Sequence, residues 1–152
     1  MKAHFRFEKL EVWQEARAIN RVVYRLTKKF PQHESFAMTS QIRRASVSIA
    51  SNIAEGSGRN SDKDFAHYLE QSYGSLMEVA SLLFLALDEE YVGVSEIDIL
   101  FADLEKLARR IASLNRSLNV TNSKTPFVRA ARQGSSRPST LDSRPSTVDS
   151  RP

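Results

Sequence analysis

Apolar residues recur at steps of three and four through most of the first 120 positions, and the breaks in that rhythm divide the chain into four helices. The first runs from about Lys9 to Lys29, with Val12, Ala16, Ile19, Val23, Leu26 and Phe30 on one face and Pro31 marking its end. The third opens at Ser61, with Asp64 three residues on as in a capping box. It continues through Phe65, Leu69, Ser72, Leu76, Ala80, Leu83 and Leu87, and Gly93 is placed to end it. Ser95 with Asp98 opens a fourth, carried by Ile97, Leu100, Leu104, Leu107, Ile111, Leu114 and Leu118. Its acids Glu96, Asp98 and Asp103 come early and its bases Lys106, Arg109, Arg110 and Arg116 late, as the helix dipole favours.

The segment between the first and third helices has two readings. In SIASNIAEGSGRNS, residues 48 to 61, Val47 and Ile49 alternate with serines like a buried strand running into Gly56-Ser57-Gly58. From Gln41, however, Ile42, Ala45 or Ser46, Ile49 and Ile53 step at helical spacing, and the strand alternation fails at Ala50-Ser51-Asn52. A phosphate-binding loop needs a strand before it and, in the nucleoside-triphosphate kind, Gly-Lys-Ser/Thr after it; neither is present. The segment reads as a helix, and Gly56 and Gly58 as residues that release the chain and permit a positive backbone angle before the Ser61 cap.

Four helices with short connections predict an all-α antiparallel four-helix bundle. The second helix is rich in small residues, Ala45, Ser46, Ser48, Ala50, Ser51 and Ala54, which let another helix approach closely. Gly74, in the middle of the third helix, costs up to about 1 kcal/mol relative to alanine and predicts a matching close contact.

Composition narrows the chemistry. The 152 residues contain no cysteine, which excludes disulfides, thiolate catalysis and cysteine-based zinc sites. The three histidines, His4, His33 and His67, lie at no ligand-like spacing from one another, so no metal and no cofactor is expected. Serines 46, 48 and 51 near Glu55 lack the oriented base and oxyanion donors of nucleophilic catalysis, and the expectation is a protein that is not an enzyme. No apolar run approaches the roughly 18 residues of a membrane helix, and the N-terminus lacks the apolar stretch of a signal peptide; a cytoplasmic protein without membrane partners is expected.

The formal net charge of +4 belongs to the tail. Residues 121 to 152 carry six basic residues and two acids, leaving residues 1 to 120 with sixteen of each. From Ser136 the tail reads SRPSTLDSRPSTVDSRP, with Pro138, Pro145 and Pro152 in register. A proline in every repeat rules out a coiled coil, and the expectation is a disordered basic tail after a bundle of residues 1 to 120. Two origins stay open for it: a selected linker or phosphorylated tail, and a reading frame that has run into tandem-repeat DNA with a seven-base period.

QIRRASVSIASNIAEGSGR, followed by DFAHYLEQSYGSLMEV, with FEKLEVWQEA near the start and Phe30-Pro31, resembles the bacterial family of proteins encoded in intervening sequences of 23S ribosomal RNA genes. The resemblance covers residues 5 to about 118. It implies a four-helix bundle assembled as a homopentamer with a central channel. A distant relative, the basic accessory protein of diversity-generating retroelements, implies RNA or a reverse-transcriptase-like protein as partner. No catalytic activity is established for the family.

The candidate nucleic-acid contacts are Arg17, Arg21, Arg25 and Lys28, which form a basic stripe on the first helix beside Lys29, together with Arg59 and Lys63 at a bundle end. The opposing reading is a solvated face, or one paired with the acids of the third helix, Glu70, Glu78, Asp88, Glu89 and Glu90. Arg43 and Arg44 stand together on the second helix, where at least one must turn toward a neighbour or an interface. Arg44, Asn52 and Glu55 are candidates either for a polar site where helices meet or for an internal network that fixes packing. Gly56 and Gly74 complete the packing candidates. Trp13, Tyr24, Tyr68 and Tyr73 read as core or interface, with base stacking as the alternative.

Overall fold

The structure, a computed structural model, describes residues 3–123. A 3₁₀ turn at Arg6–Lys9 leads into α1, Glu11–Leu26, which tightens into a second 3₁₀ turn at Thr27–Lys29. After the turn at Gln32–Glu34 come α2 (Met38–Ser57), α3 (Asp62–Asp88) and α4 (Val94–Ser123). No strand occurs among the described residues, and α4 runs three residues past the expected boundary at 120. The repeat tail from Ser136 lies outside the described residues.

Each helix packs on its chain neighbours, and α1 also packs on α4, which leaves α1 and α3 on a diagonal of the bundle. Cross-helix contacts fix the directions. Arg6 Nη1, before α1, donates to the Ser57 carbonyl at the end of α2 (3.1 Å), while Arg43 Nε, early in α2, donates to Thr27 Oγ1 at the end of α1 (2.8 Å). Ser72 Oγ of α3 donates to the Ile49 carbonyl (3.0 Å), and Asn115 Nδ2 of α4 to the Ala66 carbonyl (3.3 Å). The bundle is up-down-up-down and antiparallel throughout. Its core is the set of residues that the three-four rhythm picks out, including Ile19, Ile42, Ile49, Ile53, Leu69, Leu76, Leu83, Leu100, Leu104, Leu107 and Ile111, all buried.

Ser61 caps α3 as expected, its hydroxyl accepting the Asp64 N–H at 3.1 Å. Ser95 does not cap α4. The Glu96 carboxylate instead reaches back to accept the Gly93 N–H (3.0 Å), half of a capping box with a glycine at the cap. The glycines between α2 and α3 do not work by positive backbone angles: none of the described glycines has one. Gly56 is inside α2, and Gly58 ends the helix in right-handed geometry with φ −87°. Nor does Gly93 release α3. That helix stops at Asp88, five residues earlier, and just beyond it Glu90 takes φ 58° while the Tyr91 and Glu90 N–H groups donate to the carbonyls of Ala86 (2.9 Å) and Leu87 (3.0 Å). This is a Schellman closure with a glutamate where glycine is usual.

A left-handed non-glycine residue costs roughly 1–2 kcal/mol, and an acid at a helix C-terminus adds an unfavourable dipole interaction. Glu90→Gly is therefore expected to raise the unfolding free energy by about 1 kcal/mol, net of the greater chain entropy of glycine. A higher midpoint in urea at unchanged slope is the observation that checks it.

Candidate nucleic-acid interface

At about 100° per residue, Arg17, Arg21 and Arg25 fall within a single arc on the outer side of α1, and Lys28 follows in the 3₁₀ turn that continues it. All four are exposed, and none forms an ion pair with a described residue. Pairing with the acids of α3 within the chain is ruled out by the diagonal placement of the two helices. The acids of α1 turn the other way, toward α4. Glu11 Oε2 meets Arg110 Nη1 at 2.6 Å, and Glu15 Oε1 meets Lys106 Nζ at 2.9 Å and Arg110 at 3.2 Å. This seam uses the bases of α4 and leaves those of α1 free. Lys29 is an exception, since it is bound to the Glu96 carboxylate that also caps α4.

On its α2 side the stripe borders a groove along the α1–α2 seam. One end is lined by Phe7, Trp13, Arg17, Asn20, Val47, Ala50, Ser51 and Ala54. The other is lined by Tyr24, Ser35, Phe36, Thr39, Ser40, Arg43, Arg44 and Ser48, with Val47 common to both. The floor is the small-residue face of α2. Only part of that face brings helices together: Ala45 and Ser46 are buried, Ser46 Oγ donates to Asn20 Oδ1 across to α1 (2.7 Å), and Ser75 Oγ of α3 donates to Ser48 Oγ (2.9 Å). Ser51 and Val47 stay exposed.

Two of the three arginines of the groove lie against aromatic rings. The Arg17 guanidinium lies 5.7 Å from the Trp13 ring centre, and that of Arg43 lies 4.9 Å from Tyr24. Of the adjacent pair, Arg43 is the one that turns inward, through its bond to Thr27, while Arg44 stays exposed. Phe36, in the turn before α2, is 98% exposed. The periodicity of the chain does not mark it, because it precedes the first helical turn; its one signal is an aromatic residue in an otherwise polar connection.

The remaining candidates are not brought together. Asn52 Nδ2 donates to Ser48 Oγ (3.1 Å), part of a packing network between α2 and α3. Glu55 belongs to a separate cluster at the α2–α3 turn, where it binds Arg59 and accepts the Tyr68 hydroxyl proton at 2.8 Å. Arg59 also donates to the Tyr68 hydroxyl and lies over its ring. Its charge is thus already matched, and of the two candidates at this end of the bundle only Lys63, in the first turn of α3, is exposed without an ion pair to a described residue. Gly74 makes no close contact, since a Cβ there would meet nothing within 4 Å.

Hydrogen bonding to Tyr68, and secondarily to Arg59, holds the Glu55 carboxyl below its ordinary range, and the same bond to Glu55 pushes the Tyr68 phenol up. The lowered Glu55 stabilises the fold above the unfolded carboxylate range, and this contribution fades as pH falls through its folded value. The raised Tyr68 stabilises the fold below the ordinary phenol value and fades as pH rises through its own. Glu55→Gln is expected to flatten both limbs of a stability-against-pH curve slightly, a small effect because the cluster is exposed. Unchanged limbs would show that the cluster does not persist in solution.

Among the described residues no group of three or more His, Asp or Glu side chains is placed to hold a metal ion, and no helix is long and apolar enough to cross a membrane. The fold and surface define an up-down-up-down helical bundle with an unpaired basic stripe beside an aromatic groove. Residues 8–113 match the family of 23S rRNA-intervening sequence proteins, and the chain belongs to that family. Its fold is similar to the crystal structure of a protein of unknown function from the S23 ribosomal protein family of Bacteroides thetaiotaomicron. The TM-score is 0.65 at 23% identity, over 69% of this chain and 98% of that one. No curated protein matches the sequence.

Proposed function

We propose that this protein is a non-enzymatic oligomeric bundle that binds structured RNA through the outer face of α1 and the adjoining α1–α2 groove. The observation that carries the reading is the placement of Arg17, Arg21, Arg25 and Lys28: three exposed cations on one arc of α1 and a fourth in the turn that follows, without ion pairs to described residues, although the bundle sequence holds equal numbers of acids and bases. Unpaired cations that meet a backbone of phosphates release counterions on binding, and α1 carries a run of them on one face. Titration of labelled structured RNA with the full chain over a range of salt tests it. A steep fall of affinity with salt supports phosphate contacts, and no binding at low salt overturns them.

For assembly, the homopentamer implied by family resemblance is the proposed form, and a ring repeats the stripe once per subunit, which multiplies weak contacts. Its support in the fold is the α3–α4 seam, on the opposite side of the bundle from the groove. There Tyr73, Met77 and Phe84 share a helical stripe, and Phe84, 56% exposed, packs on Phe101 with ring centres 4.6 Å apart. The same apolar seam favours a second reading, a structural or protein-interaction oligomer without direct RNA binding, its partners including a reverse-transcriptase-like protein. Apolar docking of that kind weakens little with salt, which separates the two.

A further inference from the structure

We propose that the Phe36 end of the groove is a stacking site for unpaired nucleobases, so that the protein selects single-stranded segments of RNA over continuous duplex. The inference rests on the RNA reading above and names the form of RNA that this surface fits.

A phenylalanine that is 98% exposed gives nothing to the core, so packing within the chain does not account for it. Its turn is well anchored. The Ala37 N–H donates to the Glu34 carbonyl (3.0 Å), the Met38 N–H to Glu34 Oε2 (3.1 Å), and the Tyr91 hydroxyl to Glu34 Oε1 (3.3 Å), which ties the turn to the far end of α3. The ring is thus presented by an ordered turn. Across the groove Tyr24 is 40% exposed, with the Arg43 guanidinium over its ring and fixed by Thr27. Arg44 lies on the same rim, and no carboxylate lines the groove among the described residues. Two exposed aromatic surfaces among arginines, in a groove whose lining holds no carboxylate, match a chain of anions carrying flat, unsatisfied rings. A base inside a duplex already has both faces stacked, whereas one in a loop, bulge or single strand can splay onto an aromatic side chain.

The test compares the full chain with Phe36→Ala, which removes no core contact, and with Phe36→Trp. The probes are a labelled oligouridylate, which has no secondary structure, and a blunt RNA duplex of equal length. The expected result is that Phe36→Ala weakens oligouridylate binding roughly ten-fold or more while duplex binding and the salt slope stay as in the wild type. Phe36→Trp retains the single-strand affinity, and its indole emission is quenched on binding. Equal binding of both probes by wild type and Phe36→Ala would overturn the stacking site while leaving the RNA reading in place. Absence of binding to either probe would overturn both. A smaller sedimenting species for Phe36→Ala, with RNA affinities unchanged, would assign the ring to contact between subunits and overturn the proposal.

Discussion

Gly56→Ala is expected to destabilise the bundle by about 2–3 kcal/mol, a large effect for the addition of one methyl group. A Cβ at Gly56 would lie 2.6 Å from the Tyr68 Cβ and 2.7 Å from Phe65 Cδ2, far inside van der Waals contact. The Phe65 ring has some freedom to turn, but the Tyr68 Cβ is fixed to the α3 backbone, so relief requires α2 and α3 to move apart. That movement would loosen the burial of Phe65 and stretch the bond from the Tyr68 hydroxyl to Glu55 in the same turn. Gly74→Ala is expected to act in the opposite direction. It sits in an exposed helix interior with open space at its Cβ, and alanine there gains up to about 1 kcal/mol of helix propensity. Urea unfolding of both variants at one fixed protein concentration checks the pair, with concentration held constant because assembly adds to apparent stability. If Gly56→Ala unfolds at the wild-type midpoint, the close α2–α3 approach does not exist in solution. If Gly74→Ala lowers the midpoint in a concentration-dependent way, Gly74 lies in a contact between subunits.

The two glycines show where sequence reading stops. Both stand in helical segments with small residues and both read as packing candidates, Gly56 also as a residue that releases the chain; the close approach expected at Gly74 is found at Gly56 instead. Which glycine meets a neighbour depends on the register between α2 and α3, and that is set by many core contacts spread along both helices. The helices themselves were legible because Ile42, Ile49 and Ile53, or Leu100, Leu104 and Leu107, repeat on one face whatever lies opposite. The Ser61 cap was legible because its hydrogen bond spans only three residues. The end of α3 was not, since Gly93 is a better left-handed residue than Glu90 by intrinsic preference, and the chain turns at Glu90 nonetheless. The cross-chain ties of that turn, from Tyr91 to Glu34 and from Lys29 to the Glu96 that caps Gly93, join residues more than fifty positions apart.

Charge was legible as an inventory rather than as pairing. Equal numbers of acids and bases in the bundle leave open whether each base has a partner. The topology decides it: α1 lies beside α4, so Glu11 and Glu15 take Arg110 and Lys106, and the acids of α3 lie across the diagonal from the α1 arginines. A neutral bundle thereby acquires one side with unpaired cations. Phe36 escaped for a different reason, since exposure at a turn has no periodic signature.

The triple substitution Arg17→Ala, Arg21→Ala and Arg25→Ala is expected to weaken binding of structured RNA roughly hundred-fold at low salt and to flatten the salt dependence by about two to three units of log–log slope. Each phosphate contact contributes somewhat under one unit to that slope. Because the three side chains are exposed, contribute no ion pair with a described residue, and include only the Arg17–Trp13 contact among their ring contacts, the variant should unfold close to the wild-type midpoint, so a loss of binding is not a loss of fold. Lys29→Ala is the internal control. Its ammonium is already bound to Glu96, and removing it changes the local charge without removing a free phosphate contact, so the slope should move much less. The tail arginines remain in both variants, and any binding common to the triple variant and the wild type belongs outside the α1 stripe. A triple variant with the wild-type slope would remove α1 as the RNA surface and leave the apolar α3–α4 seam as the feature that needs a partner. A slope that drops only when the protein is assembled would show that repetition around a ring makes the stripe effective, since each added subunit contributes a further set of cations to one RNA.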